Sequence, residues 1–109
     1  MTQQICDGPL GDVATKLLHE DDQVKIWEMA LAPGEQTAPH EHKLDYILVI
    51  IEGDRIAGVP HVRSEGASAT YIEADVEPGS WYKLEKGGIE LARNIGDKFY
   101  REIVIELKK

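Results

Sequence analysis

Gly34-Glu35-Gln36-Thr37-Ala38-Pro39-His40-Glu41-His42-Lys43-Leu44-Asp45-Tyr46-Ile47-Leu48-Val49-Ile50-Ile51-Glu52-Gly53 is the stretch from which the rest of the chain is read. In an extended segment residues i and i+2 point to the same face, roughly 7 Å apart, so His40 and His42 can lean onto one small ion. Pro33-Gly34 makes a turn before the pair, and the apolar run Ile47 to Ile51 after it suits a strand buried on both faces. The histidine pair therefore stands at the mouth of something packed.

Moving outward from that stretch, short strands alternate with turns. Val24 to Leu31 is a strand whose apolar phase shifts from Val24 and Ile26 to Trp27, Met29 and Leu31, which predicts either a bulge or cover on both faces. Trp27 is assigned to the core, because a large ring in a short strand serves packing. A further short strand is expected over Val13 to His19, with His19 at the surface before the acidic turn Glu20-Asp21-Asp22. Arg55 to Val59 leads into a polar loop from Pro60 to Gly66, where His61 is expected to be solvated. Thr70 to Val76 alternates as a half-buried strand, and Ser80 to Leu84 is short and lies between the Pro78-Gly79 and Gly87-Gly88 turns. Ile89 to Ile95 places Glu90, Ala92 and Asn94 on one face, and Phe99 to Leu107 alternates once more. With no helical period of useful length, the pattern predicts an all-β barrel or sandwich.

These spacings resemble the cupin family of small antiparallel β-barrels. The family's first signature is Gly, five residues, His-x-His, three or four residues, Glu, six residues, Gly. Gly34, His40, His42 and Gly53 fall on it, with Tyr46 where Glu is usual. The second runs Gly, five residues, Pro-x-Gly, two residues, His, three residues, Asn. Gly79, Gly87 and Asn94 fit that frame, with Glu85 in place of the proline and Glu90 in place of the histidine. The resemblance covers about residues 13 to 107. It implies an all-β fold, a small antiparallel cupin-type β-barrel (double-stranded β-helix, or jelly roll), over 13–109 after an irregular arm at 1–12.

The resemblance also implies a metal set of His40, His42 and Glu90, two imidazoles and a carboxylate, which leaves positions open for substrate as in many non-haem Fe(II) oxygenases. Fe, Mn, Ni or Zn suits such donors. The bland reading of Glu90, a solvated carboxylate beside a double glycine, stands against this, and the small Ala92 and polar Asn94 on its face favour a cavity lining. Tyr46, a poor ligand while it keeps its proton, is the candidate catalytic residue, positioning substrate or donating a proton. By strict alternation Asp45 points away from the face of His42, and it joins the site only across a bulge. Val24-Lys25-Ile26-Trp27-Glu28, Asp45-Tyr46 and the C-terminal Glu102 to Lys108 are similar to short cupins associated with β-alanine breakdown, and more distantly to a diketone-cleaving Fe(II) dioxygenase. The family likeness implies either a metal-dependent dioxygenase, isomerase or lyase acting on a small organic acid or diketone-like substrate, or a non-catalytic small-molecule binder with a degenerate metal site.

Composition bounds the partners. A chain of 109 residues with 12 basic and 20 acidic side chains carries a net charge of −8. It has no basic run, so nucleic acid and anionic membrane are not expected partners. The longest apolar run, Ile47 to Ile51, is far short of the about 20 residues that span a bilayer. Cys6 is the only cysteine and is read as an inert small hydrophobe, and the N-terminus lacks the basic and apolar regions of a signal peptide, so a cytoplasmic location is expected. The two-faced apolar strand at 24 to 31 predicts a homodimer.

Overall fold

The computed structural model describes residues 4–65 and 69–108. Among them run nine strands: β1 (Lys16–Glu20), β2 (Val24–Leu31), β3 (His40–Glu41), β4 (Tyr46–Glu52), β5 (Arg55–Pro60), β6 (Ile72–Asp75), β7 (Trp81–Leu84), β8 (Ile89–Asn94) and β9 (Tyr100–Leu107). They form two sheets, β1-β2-β9-β4-β7 and β3-β8-β5-β6. Every strand pair within them is antiparallel. No helix among the described residues is long and apolar enough to cross a membrane.

Period-2 alternation decides what lies between the sheets. β2 turns Trp27, Met29 and Leu31 inward, β4 turns Tyr46 and Ile50 inward, and β9 adds Tyr100 and Val104. The indole N–H of Trp27 donates to Glu106 Oε1 at 2.8 Å, which satisfies two polar groups that burial would otherwise leave costly. Trp27 is thus core, as its setting in the sequence implied. The phase shift in β2 involves no bulge there: its pairing with β9 is unbroken from Val24 opposite Leu107 to Leu31 opposite Tyr100. Irregularities of this sheet fall instead in β1, between Leu17 and His19, and in β4, between Ile50 and Glu52.

Three expectations are corrected. β6 is fully exposed along its length where a half-buried strand was expected. It is the edge strand of its sheet, and its apolar residues look into an open cavity instead of onto a facing layer. His61, expected to be solvated, is buried: its Nε2–H donates to Gly8 O at 3.0 Å, and its Nδ1 accepts the Arg63 N–H. The arm supplies the missing cover, since the Cys6 N–H donates to Pro60 O and Cys6 O accepts from the Val62 N–H. Asn94, expected to line a cavity, is wholly buried and braces a corner, its Nδ2 donating to Leu31 O and Lys98 O while its Oδ1 accepts the Gly96 N–H. Residues 1–3 of the arm, and Gly66 at the end of the expected loop, lie outside the described residues.

Candidate metal centre and its cavity

The shortest strand positions the site. β3 pairs with β8 so that His40 lies directly opposite Glu90 and Glu41 opposite Ile89. Residues directly opposite in an antiparallel pair share a face, so the register itself sets an imidazole against the carboxylate. The ladder continues one step beyond the strand, with the His42 N–H donating to Gly88 O and the Gly87 N–H donating to His42 O. His42 is thereby held two residues along on the same face. The ligand-type atoms of His40, His42 and Glu90 lie within 4.8 Å of one another, and His42 Nε2 is 3.6 Å from Glu90 Oε2. The three residues that the signature alignment selected, 50 positions apart in the chain, are brought together.

The chemistry of these donors fits a divalent cation. His40 Nδ1 lies 2.9 Å from Ala38 O, and since a carbonyl only accepts, the proton sits on Nδ1 and the Nε2 lone pair is free. Burial, then the neighbouring His42, holds the His40 pKa below its ordinary value and keeps the ring neutral, as a metal ligand requires. Among the described residues His42 Nδ1 is buried with no hydrogen-bond partner, a cost that the fold bears. Glu90 is part-exposed, so its carboxylate keeps contact with the cavity. Gly58 on β5 lies beside it, where a Cβ would meet Glu90 Oε1 in van der Waals contact at 3.4 Å.

Tyr46 reaches the same site from the other sheet. Its ring stacks on His42 with centroids 4.0 Å apart and planes 10° from parallel, while His40 meets His42 edge-on at 4.9 Å. Burial, followed by the carboxylates Glu90 and Glu102, pushes its phenol pKa well up, so it keeps its proton. Asp45 does not join. It is exposed, and its Oδ1 accepts the Lys86 N–H at 3.0 Å, as strict alternation from His42 required.

A cavity of about 430 Å³ opens from these residues between the sheets, walled by Met29, Leu48, Ile50, Ile56 and Val104, with β6 and β7 at its mouth. Two lining residues were not singled out in the sequence. Glu102 is buried on β9, and Tyr100 hydrogen-bonds its Oε1. The signal was weak: Glu102 shares its face with Tyr100 and Val104, but the opposite face of β9 carries Ile103, Ile105 and Leu107 and is the more apolar. A count of apolar residues would have turned Glu102 outward.

A scan against protein-family models gives no match, and no curated protein is significantly similar in sequence. Solved structures do match. A cupin domain from Bordetella pertussis superposes with a TM-score of 0.71 at 19% identity, covering 91% of this chain and 100% of that one. An RmlC-like cupin with a double-stranded β-helix from Methanocaldococcus jannaschii gives 0.66 at 18% identity, over 84% and 76%. A polyketide cyclase from Streptomyces resistomycificus gives 0.59 at 16% identity, over 82% and 57%. The fold is cupin-like: all-β, antiparallel, of the double-stranded β-helix kind. Within it, His40, His42 and Glu90 form a group able to hold a metal ion.

Proposed function

We propose that this chain is a metal-dependent enzyme, of dioxygenase, isomerase or lyase type, acting on a small organic acid or diketone-like molecule held in the cavity. The observation that carries the reading is the His40–Glu90 register with His42 beside it, three ligand-type groups at the inner end of a cavity large enough for a small organic molecule. Fe, Mn, Ni or Zn in the +2 state suits two neutral imidazoles and one carboxylate, and a bound ion would polarise a substrate carbonyl or carboxylate oxygen. The rest is supplied by the chain. His40 is fixed in the tautomer that presents Nε2, and the apolar walls exclude water from the bound molecule. Tyr46, locked by stacking and still protonated, donates a hydrogen bond to substrate or supplies a proton. The protein works in the cytoplasm as a homodimer.

The second reading is a binding module without catalysis, favoured by the phenol of Tyr46 standing where a further anionic ligand would complete the set. Metal content separates the two. Untagged protein offered Fe(II), Mn(II), Ni(II) and Zn(II) is expected to retain one ion per chain, and retention of none would leave the binder. In calorimetric titrations Glu90→Gln is expected to weaken metal binding at least tenfold and Glu90→His to keep it, while Glu85→Gln, exposed on the neighbouring turn, leaves it unchanged. Because the ligands must be deprotonated, affinity should fall at acid pH, with His40 taking up its proton only below the ordinary histidine value of about 6.5. Equal affinity for Glu90→Gln and the parent would remove Glu90 from the site.

A further inference from the structure

The cavity holds a second polar feature apart from the metal group. Glu102 comes from the inward face of β9, the central strand of the five-stranded sheet, and is flanked there by Met29 of β2 and Ile50 of β4, neither of which titrates. Tyr100 is the only described side chain hydrogen-bonded to it. Across the cavity stand Glu90, His40 and His42, Tyr46 is on β4, and Asp75, Glu77 and Tyr82 are at the mouth. No described lysine or arginine lines this space. A buried carboxylate with no cation near it and other carboxylates facing it is expensive as an anion and far cheaper as a neutral acid. The same arrangement gives an incoming carboxylate no counter-charge from the protein.

We propose that Glu102, oriented by Tyr100, is the specificity-determining residue of the cavity, donating a hydrogen bond as a neutral acid to the carbonyl oxygen of an uncharged ligand, while the other carboxylates of the lining disfavour an anionic one. With Oε1 taken by the Tyr100 phenol, the carboxyl proton belongs on Oε2, the oxygen left for the ligand. Burial pushes the Glu102 pKa up to about 7, the Tyr100 hydrogen bond pulls against that rise, and Glu90 adds to it. The apolar walls would take the ligand's hydrocarbon body. For the cavity without an ion this narrows the class proposed above from organic acids or diketones to uncharged carbonyl compounds. It rests on the same cavity being the ligand site but not on the ion.

The test uses a pair of probes of one shape and different charge, cyclohexyl methyl ketone and cyclohexanecarboxylate, titrated by NMR and calorimetry into the full chain with a chelator present. At pH 6 the ketone is expected to bind at least tenfold more tightly than the carboxylate. Its affinity should fall as pH rises through 7 and Glu102 loses the donated proton. In Glu102→Gln the amide donates from the same place, so ketone binding should persist without that pH dependence, and the preference for the ketone at pH 6 should be kept. Tyr100→Phe keeps the carboxyl and serves if the first variant folds poorly. Losing the phenol should move the midpoint of ketone binding to higher pH. Equal binding of the two probes, no binding of either at millimolar concentration, or an unaltered pH profile in Glu102→Gln would each overturn the proposal. A protein that retains no metal yet prefers the ketone would defeat the metal reading alone, and one that holds metal without preferring the ketone would defeat this inference alone.

Discussion

Glu102 shows at the scale of one residue how a functional group weighs on stability. Burial pushes its pKa up to about 7 from an ordinary value of 4.5. Between those values the native state holds a proton that the unfolded chain has released, so stability falls as pH rises through that window. It is full below 4.5 and level above 7 as far as this group is concerned. A shift of this size corresponds to a loss on the order of 3 kcal/mol. Replacement by Gln removes the titration. Urea unfolding of parent and Glu102→Gln at pH 5 and pH 8 should therefore show the parent losing stability relative to the variant at the higher pH. A constant difference between the two would mean that Glu102 does not titrate in this range. His42, with one ring nitrogen buried and unpartnered among the described residues, is another local cost borne in the same cavity.

At the scale of elements, the outer face of the five-stranded sheet bears on assembly. Register aligns Ile26, Ile105 and Ile47 in one row, and Ile103, Val49 and Trp81 in the next. Most are half-buried, but Trp81 is 66% exposed. The inner face of β9 carries Glu102 and Glu106, so this strand keeps its more apolar side for the outside, an inversion that a covering partner would explain. A second copy of the chain, applied sheet to sheet, is the homodimer proposed above. Ile105→Lys, which touches neither the cavity nor the metal group, should turn a species of twice 12.2 kDa into a monomer in sedimentation while leaving circular dichroism unchanged. A parent that sediments as a monomer at micromolar concentration would defeat the proposal.

For the whole molecule the order β1-β2-β9-β4-β7 matters most, because the last strand of the chain is the central strand of the larger sheet. β9 pairs with β2 over Val24 to Leu31 and with β4 over Tyr46 to Glu52, and it supplies Tyr100 and Val104 to the core. The sheet is completed only when β9 joins residues 49 to 83 positions away, which makes folding dependent on non-local pairing. Deleting residues 100–109 should abolish dispersed NMR signals and cooperative unfolding altogether. A truncated chain that still unfolds cooperatively would show that the two sheets do not depend on this strand.

The strands could be read locally because their information is local. Alternation over Val24 to Leu31, Ile89 to Ile95 and Phe99 to Leu107, with turns at Pro33-Gly34 and Pro78-Gly79, depends only on neighbours in sequence, and the structure places β2, β8 and β9 within a residue of those spans. That His40, His42 and Glu90 come together was legible for a related reason: His40 and His42 are two apart, and signature spacing singled out Glu90. Asn94 and His61 were misjudged because burial of a polar residue depends on what lies across from it, here the Leu31 and Lys98 carbonyls and the arm at Gly8. Which face of β9 turns inward was likewise settled by tertiary structure. Local periodicity marks two faces without saying which is covered, and packing of Tyr100 and Val104 into the core carried Glu102 into the cavity with them. Sequence thus determined the strands and the histidine pair, whereas only the joining of distant strands decided that a carboxyl group would stand inside the cavity, where no described lysine or arginine lines the wall.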